Sequence, residues 1–182
     1  MRRLLWLCLL LTDCRKCSSG DDAPRFQSFP SVHPVESGPS GLAVAPAGLT
    51  VAFGSGETIV VGKLDGEPTR MTGSKRGAGS IAFGPDGKTL LTGHVPHWDL
   101  DSELTVWDLP TGQVRARRVL SEGINSVDVS GVGLAAVACQ RGGFVRILSY
   151  PGLEDVRELR GHQSWIRALA FVPGTPRLVT AG

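Results

Sequence analysis

Between Leu104 and Gly112 the chain reads LTVWDLPTG. Leu104 and Val106 can point one way along an extended strand while Thr105 points the other, and Pro110, Thr111 and Gly112 close it in a turn. That shape belongs to a repeat. GLAVAPAGLTVAFGSG at 41–56, GSIAFGPDGKTLLTGH at 79–94, NSVDVSGVGLAAVACQ at 125–140 and RALAFVPGTPRLVTAG at 167–182 can be laid over one another at a spacing of roughly forty residues. Each sets a short alternating strand, a Pro or Gly turn, and a second strand of small and β-branched residues. The first three continue into a third strand (ETIVVGKLDG, ELTVWDLPTG, GFVRILSYPG) and a weaker fourth (PTRMTG, QVRARRVL, EDVRELRG). Long amphipathic helical stretches are absent, so the pattern predicts an all-β chain.

A four-stranded unit of this kind cannot bury both its faces alone, and neighbouring units must cover it. Four antiparallel strands per unit, repeated radially, make the blade of a β-propeller. The predicted blades span about 38–73, 79–119, 124–159 and 165–182, the last reaching only its second strand. The expectation is a partial, open ring of about three and a half blades, from a truncated gene product, a partial gene model or the first part of a longer protein. Residues 21–37 are either a linker or, through RFQSFPSVHPV at 25–35, the outer strand that seals a ring.

At this point the sequence resembles the WD40-repeat family. FGPDGKTLLTG is similar to that family's turn between the first two strands, DSELTVWD to its Asp, apolar strand and Trp-Asp ending, and LRGHQSWIRALAF to the Gly-His pair ahead of a blade. The resemblance covers Gly38 to Gly182. It implies a structural network of His, Asp, Ser or Thr, and Trp within each blade, met here by Thr92, Asp101 and Trp107 in the second blade and by His162 and Thr180 in the fourth. The second blade lacks the preceding His. Gly62 and Leu148 fall at the Trp position of the first and third blades, where apolar packing must replace the network.

The formal charge is +2, from 19 basic and 17 acidic residues. Four of the basic residues (Arg2, Arg3, Arg15, Lys16) and one acidic residue (Asp13) lie in the first twenty positions, leaving 15 and 16, a net of −1, for the rest. No basic stripe of the kind phosphate backbones require remains, so nucleic acid is not an expected partner. The opening MRRLLWLCLLLTDCRKCSSGDD has the basic start, apolar stretch and small residues of an export signal over 1–20, with an apolar run too short for a membrane span. The expected location is periplasmic, envelope or secreted, with a cytoplasmic adaptor as the alternative. Cys14 follows the apolar run as a lipidated cysteine would, though Asp13 before it fits that poorly. Cys14 and Cys17 have no second pair to complete a zinc site, and Cys139 lies in an apolar stretch as a buried, inert thiol.

The one departure from the repeat is GHVPHWDLD at 93–101, a lengthened connection between the second and third strands of the second blade. His94, His97, Trp98 and Asp99 make it a candidate partner-contact loop, since Trp contributes disproportionately to interfaces. The same His and Asp residues suit a metal ion, but their spacing matches no defined motif. There is no G-x-S-x-G, no H-E-x-x-H and no phosphate-binding loop, and GSGETIVVG at 54–62 leads into a strand where phosphate would need a helix N-terminus. DGKT at 86–89 is a hairpin turn. The expected function is a non-catalytic scaffold for a protein partner, with no cofactor and no metal. The alternatives are an accessory propeller of a larger exported enzyme, or a propeller enzyme holding a metal or cofactor in its channel.

Overall fold

The computed structural model describes residues 10–11, 27–28, 39–48, 50–63, 68–72, 77–94 and 101–182. Every element among them is a strand, and each sheet is antiparallel with its strands in chain order. A two-residue pair joins β1 (Leu10–Leu11) to β2 (Gln27–Ser28). The first sheet holds β3 (Pro39–Val44), β4 (Thr50–Ser55), β5 (Thr58–Lys63) and β6 (Thr69–Met71). The second holds β7 (Ala78–Phe83), β8 (Thr89–His94), β9 (Ser102–Asp108) and β10 (Gln113–Leu120), and the third β11 (Ile124–Val129), β12 (Leu134–Cys139), β13 (Phe144–Ser149) and β14 (Asp155–Arg160). The fourth is the pair β15 (Ala168–Phe171) and β16 (Leu178–Ala181). Together they form an all-β, propeller-type arrangement whose ring is open.

The turns explain the strand breaks. The Asp86 carboxylate accepts from the Lys88 and Thr89 amides (2.9 and 3.2 Å) and from the Thr89 hydroxyl (3.0 Å), folding the chain back beside Gly87 at φ +64°. Asp108 does the same after β9, accepting from the Thr111 amide and hydroxyl at 3.0 and 2.7 Å. Those three bonds hold the Asp86 carboxyl below its usual range despite the opposing effect of burial, the largest single influence on it.

The middle of β9, Leu104 to Trp107, is buried on both faces. Leu104 and Val106 pack toward the third sheet, Trp107 packs toward the first, and Thr105 is fully buried, because the second sheet is covered on both faces. Three apolar layers result. Ala52, Ile59 and Val61 meet Ile81, Phe83 and Leu90 between the first two sheets. Leu91 and Leu104 meet Val137 and Leu148 in the next layer. Ala136, Ala138 and Ile147 meet Ile166 and Leu169 in the last. Each fully buried leucine contributes about 1.5–3 kcal/mol of burial.

The first strand of each sheet lies innermost and is tied to the next by side chains. Ser40 Oγ donates to the Ala78 carbonyl (3.0 Å), the Val127 amide donates to Ser80 Oγ (2.9 Å), and the Phe171 amide donates to Asp128 Oδ2 (2.7 Å). At the rim the outer strands are poor templates for further pairing. β10 bulges at Arg115 and β14 at Val156, and both are charged, β10 by three arginines and β14 by alternating acidic and basic residues. Asp155 joins the two, pairing with Arg118 of β10 and with Arg146 of β13 (2.9 Å). Those guanidinium contacts hold the Asp155 carboxyl below the usual range.

Candidate interaction surface

The buried polar centre of the second sheet is Thr92, on β8. Its hydroxyl oxygen accepts from Trp107 Nε1 on β9 (3.0 Å), lies 2.9 Å from His94 Nε2, and is 3.3 Å from the Thr105 carbonyl. The carbonyl can only accept, whereas the imidazole can take either role, so the single hydroxyl proton and the Trp N–H are both accommodated. Thr92 and His94 are two residues apart on one strand, hence on one face, and both are fully buried.

This corrects the expectation that His94 lies on a partner-contact loop: it ends β8 in the interior and supplies from within the sheet the imidazole that no preceding residue provides. Its signal in the sequence was the two-residue spacing from Thr92. Asp101 stands exposed just ahead of β9. His97, Trp98 and Asp99 lie outside the described residues, as do Cys14, Cys17 and most of the 1–37 segment. In the fourth sheet His162 Nε2 is 2.8 Å from Thr180 Oγ1, so these two residues are brought together across the connector and β16.

That connector, 161–167, carries the feature the sequence reading passed over. Trp165 is 54% exposed, while its neighbour Ile166 is fully buried in the layer against the third sheet. The segment is fixed at several points. His162 bonds Thr180, Asn125 Nδ2 donates to the Ile166 carbonyl (3.0 Å), and the Arg167 amide donates to the Ala181 carbonyl (2.8 Å). Gly143 completes the clamp. At φ +58°, a Cβ there would stand 2.7 Å from the His162 and Ser164 carbonyls, so only glycine admits the connector this closely. Trp165 is thus a large apolar side chain held outward on an ordered segment.

The same end of the structure carries the turns between second and third strands. Arg141 and Gln140 donate backbone bonds to the Glu122 and Gly123 carbonyls, at 2.9 and 3.1 Å. Beside them Arg146 bonds Glu122 (2.5 Å), and the Arg146 and Arg160 guanidinium groups lie over the Phe144 ring, 5.7 and 4.8 Å from its centroid. At the opposite end a cleft of about 570 Å³ opens between the inner strands, lined by Pro46, Pro85 and Pro173 of their turns. Asp128, also on its wall, already accepts the Phe171 and Val129 amides.

Cys139 is buried and free, with its thiol 3.8 Å from the Val137 carbonyl. Burial, reinforced by the Glu122 carboxylate, pushes the thiol up to about 11. At pH 8 the Cys139 peptide should stay unlabelled by a thiol reagent in the native chain and become labelled in urea, followed by mass spectrometry; rapid native labelling would contradict this burial. Because the folded state favours the protonated thiol, its contribution to stability is full below about 9 and is lost as pH rises toward 11. Among the described residues no group of three or more His, Cys, Asp or Glu could hold a metal ion, and no helix is long and apolar enough to cross a membrane.

The family model described as WD domain, G-beta repeat matches residues 153–182. No curated protein matches the chain. Among solved structures it is similar to the RRP9 WD40 repeats and to U3-55K, each at TM-score 0.71 and 17% identity, over 82% of this chain and 46% and 47% of theirs. The chain therefore has a WD40-repeat propeller-type fold, partially formed, and spans under half the length of the structures it matches. The export expectation is corrected: nothing in these comparisons places the chain outside the cell or in the envelope, and at 17% identity the likeness is one of fold.

Proposed function

We propose that the chain is a non-catalytic scaffold that binds a protein partner through the connector face, with Trp165 as its anchor. One observation carries this reading: a tryptophan more than half exposed on a segment held by bonds to Asn125, Thr180 and Ala181. Interface energy concentrates in a few aromatic and Arg side chains, and an anchor already fixed in place loses little entropy on binding. Arg141 and Arg160, on the neighbouring turn and strand, supply the polar surround such an anchor needs. The solved structures with this fold, the RRP9 WD40 repeats and U3-55K, support the scaffold class without identifying the partner.

The test is a partner identified by crosslinking to the native chain and then titrated against Trp165→Ala. The variant should keep its circular dichroism spectrum and thermal midpoint while binding weakens by about 2 kcal/mol or more, the range of an interface hot spot. An unchanged affinity would place the contact elsewhere and remove the connector face from the proposal.

A further inference from the structure

The arginines around Trp165 lie on backbone that is fixed at several points. The turn 140–143 sits between two connectors. Gln140 and Arg141 donate to the Gly123 and Glu122 carbonyls on one side (3.1 and 2.9 Å), and Gly143 packs against the His162 and Ser164 carbonyls on the other. Arg141 is exposed on that turn. Arg160 ends β14 directly ahead of the connector and Arg167 ends the connector itself, so the segment that carries Trp165 begins and finishes at an exposed arginine. Carboxylates are missing from the same stretches, since neither 140–143 nor 160–167 contains Asp or Glu. The two glutamates beside them are already engaged, Glu122 by Arg146 (2.5 Å) and Glu158 by Arg160 (2.8 Å) and Arg146 (3.5 Å). Four arginines thus stand with two glutamates, a net of +2 within residues 21–182, whose total is −1. All of these residues lie ahead of β15, in the third sheet and its connectors.

We propose that the partner taken by the connector face is a protein segment with Asp or Glu on both sides of an apolar side chain. The apolar group packs on Trp165, and the carboxylates pair with Arg141, Arg160 and Arg167. This rests on Trp165 as the anchor and adds the chemistry of what the anchor receives. A guanidinium fork bonds a carboxylate through two parallel N–H donors, which gives direction as well as attraction. Arg160 can turn to a partner without stranding Glu158, because Glu158 keeps Arg146 at 3.5 Å. A segment bearing Lys or Arg would meet like charge, so the same surface disfavours it. A nucleic acid strand is also negative, but single strands are held by successive aromatic side chains under successive bases. Among the described residues Trp165 is the one aromatic among the exposed large apolar side chains, the others being Leu and Val.

Two dye-labelled peptides test this by fluorescence anisotropy on the full chain: one with Phe flanked on both sides by Glu, the other with Lys in place of each Glu. The Glu peptide should bind at least about tenfold more tightly than the Lys peptide, and its affinity should fall as salt rises. Arg141→Glu and Arg167→Glu should each weaken it about tenfold with the circular dichroism spectrum unchanged, whereas Arg141→Lys, which keeps the charge without the fork, should weaken it less. Should a reversed charge disturb the fold, Arg141→Ala and Arg167→Ala give a loss in the same direction. No binding of the Glu peptide, equal affinity for the two peptides, indifference to salt, or tighter binding of labelled oligothymidine would overturn the proposal. The anchor is read separately with the crosslinked partner. Binding lost in Trp165→Ala but unchanged in both arginine reversals removes the acidic recognition and leaves the anchor, while the opposite pattern overturns the anchor alone.

Discussion

Trp107→Ala should lower the unfolding free energy by about 3–5 kcal/mol, the range for truncating a buried aromatic side chain. Two losses combine. The indole packs in the layer between the first and second sheets beside Leu90 and Phe83, and little can collapse into the space it leaves because sheets hold it on both sides. Its N–H also supplies one of the bonds on Thr92, and Thr92 is buried beyond the reach of water. Trp107→Phe separates the two effects, since most of the ring volume remains while the donor goes. That variant should lose about 0.5–1.5 kcal/mol, the net worth of a buried hydrogen bond. Urea unfolding with tryptophan-independent detection by far-ultraviolet circular dichroism measures both. Equal losses for Ala and Phe would mean that the polar network, and not packing, dominates the site. A loss under about 1 kcal/mol for Ala would mean the layer between these sheets is loosely packed.

What could be read in the sequence and what could not divides along a physical line. Alternation within a strand and the forty-residue repeat survive as sheets because they report burial, which depends on pattern more than on particular partners. The turns at Asp86 and Asp108 were legible for the same local reason. His94 was misplaced because the chain around it, GHVPHWDLD, looks like a lengthened loop, and only three-dimensional register shows that β8 continues through His94 opposite Glu103. Trp165 was missed because exposure cannot be read from residue type: tryptophan is usually buried, and the connector bonds that hold it outward involve Asn125, Thr180 and Ala181, each far from it or unremarkable in sequence. The exposure of Leu42, Val44 and Val179 was also hidden. Their residue types are those of the buried equivalents, and only accessibility distinguishes them.

Gly54→Ala should destabilise the chain by about 1–3 kcal/mol, and Gly93→Ala by less, although both add one methyl group at equivalent places. In each four-stranded sheet a serine beside the bulge of the inner strand faces this position: Ser40 opposite Gly54, Ser80 opposite Gly93, Ser126 opposite Ala138. What a Cβ would meet differs. At Gly54 it would stand 2.6 Å from the carbonyl oxygens of both Ser40 and Ala78, which are backbone atoms of two sheets and cannot yield without separating them. At Gly93 the nearest atom is Ile124 Cγ2 at 2.8 Å, a side chain that can shift within its layer. In the third sheet the space exists already and is filled, since Ala138 is fully buried there. The close approach at Gly54 is what brings Ser40 Oγ within 3.0 Å of the Ala78 carbonyl, so the substitution should also weaken the tie between the first two inner strands. Hydrogen exchange is the sharper readout: amides of β3 and β4 should lose protection in Gly54→Ala while those of β12 and β13 keep theirs. Equal destabilisation by the two substitutions would show that the first two sheets separate as easily as a side chain turns. The inner strands would then not be the rigid axis on which the connector face rests.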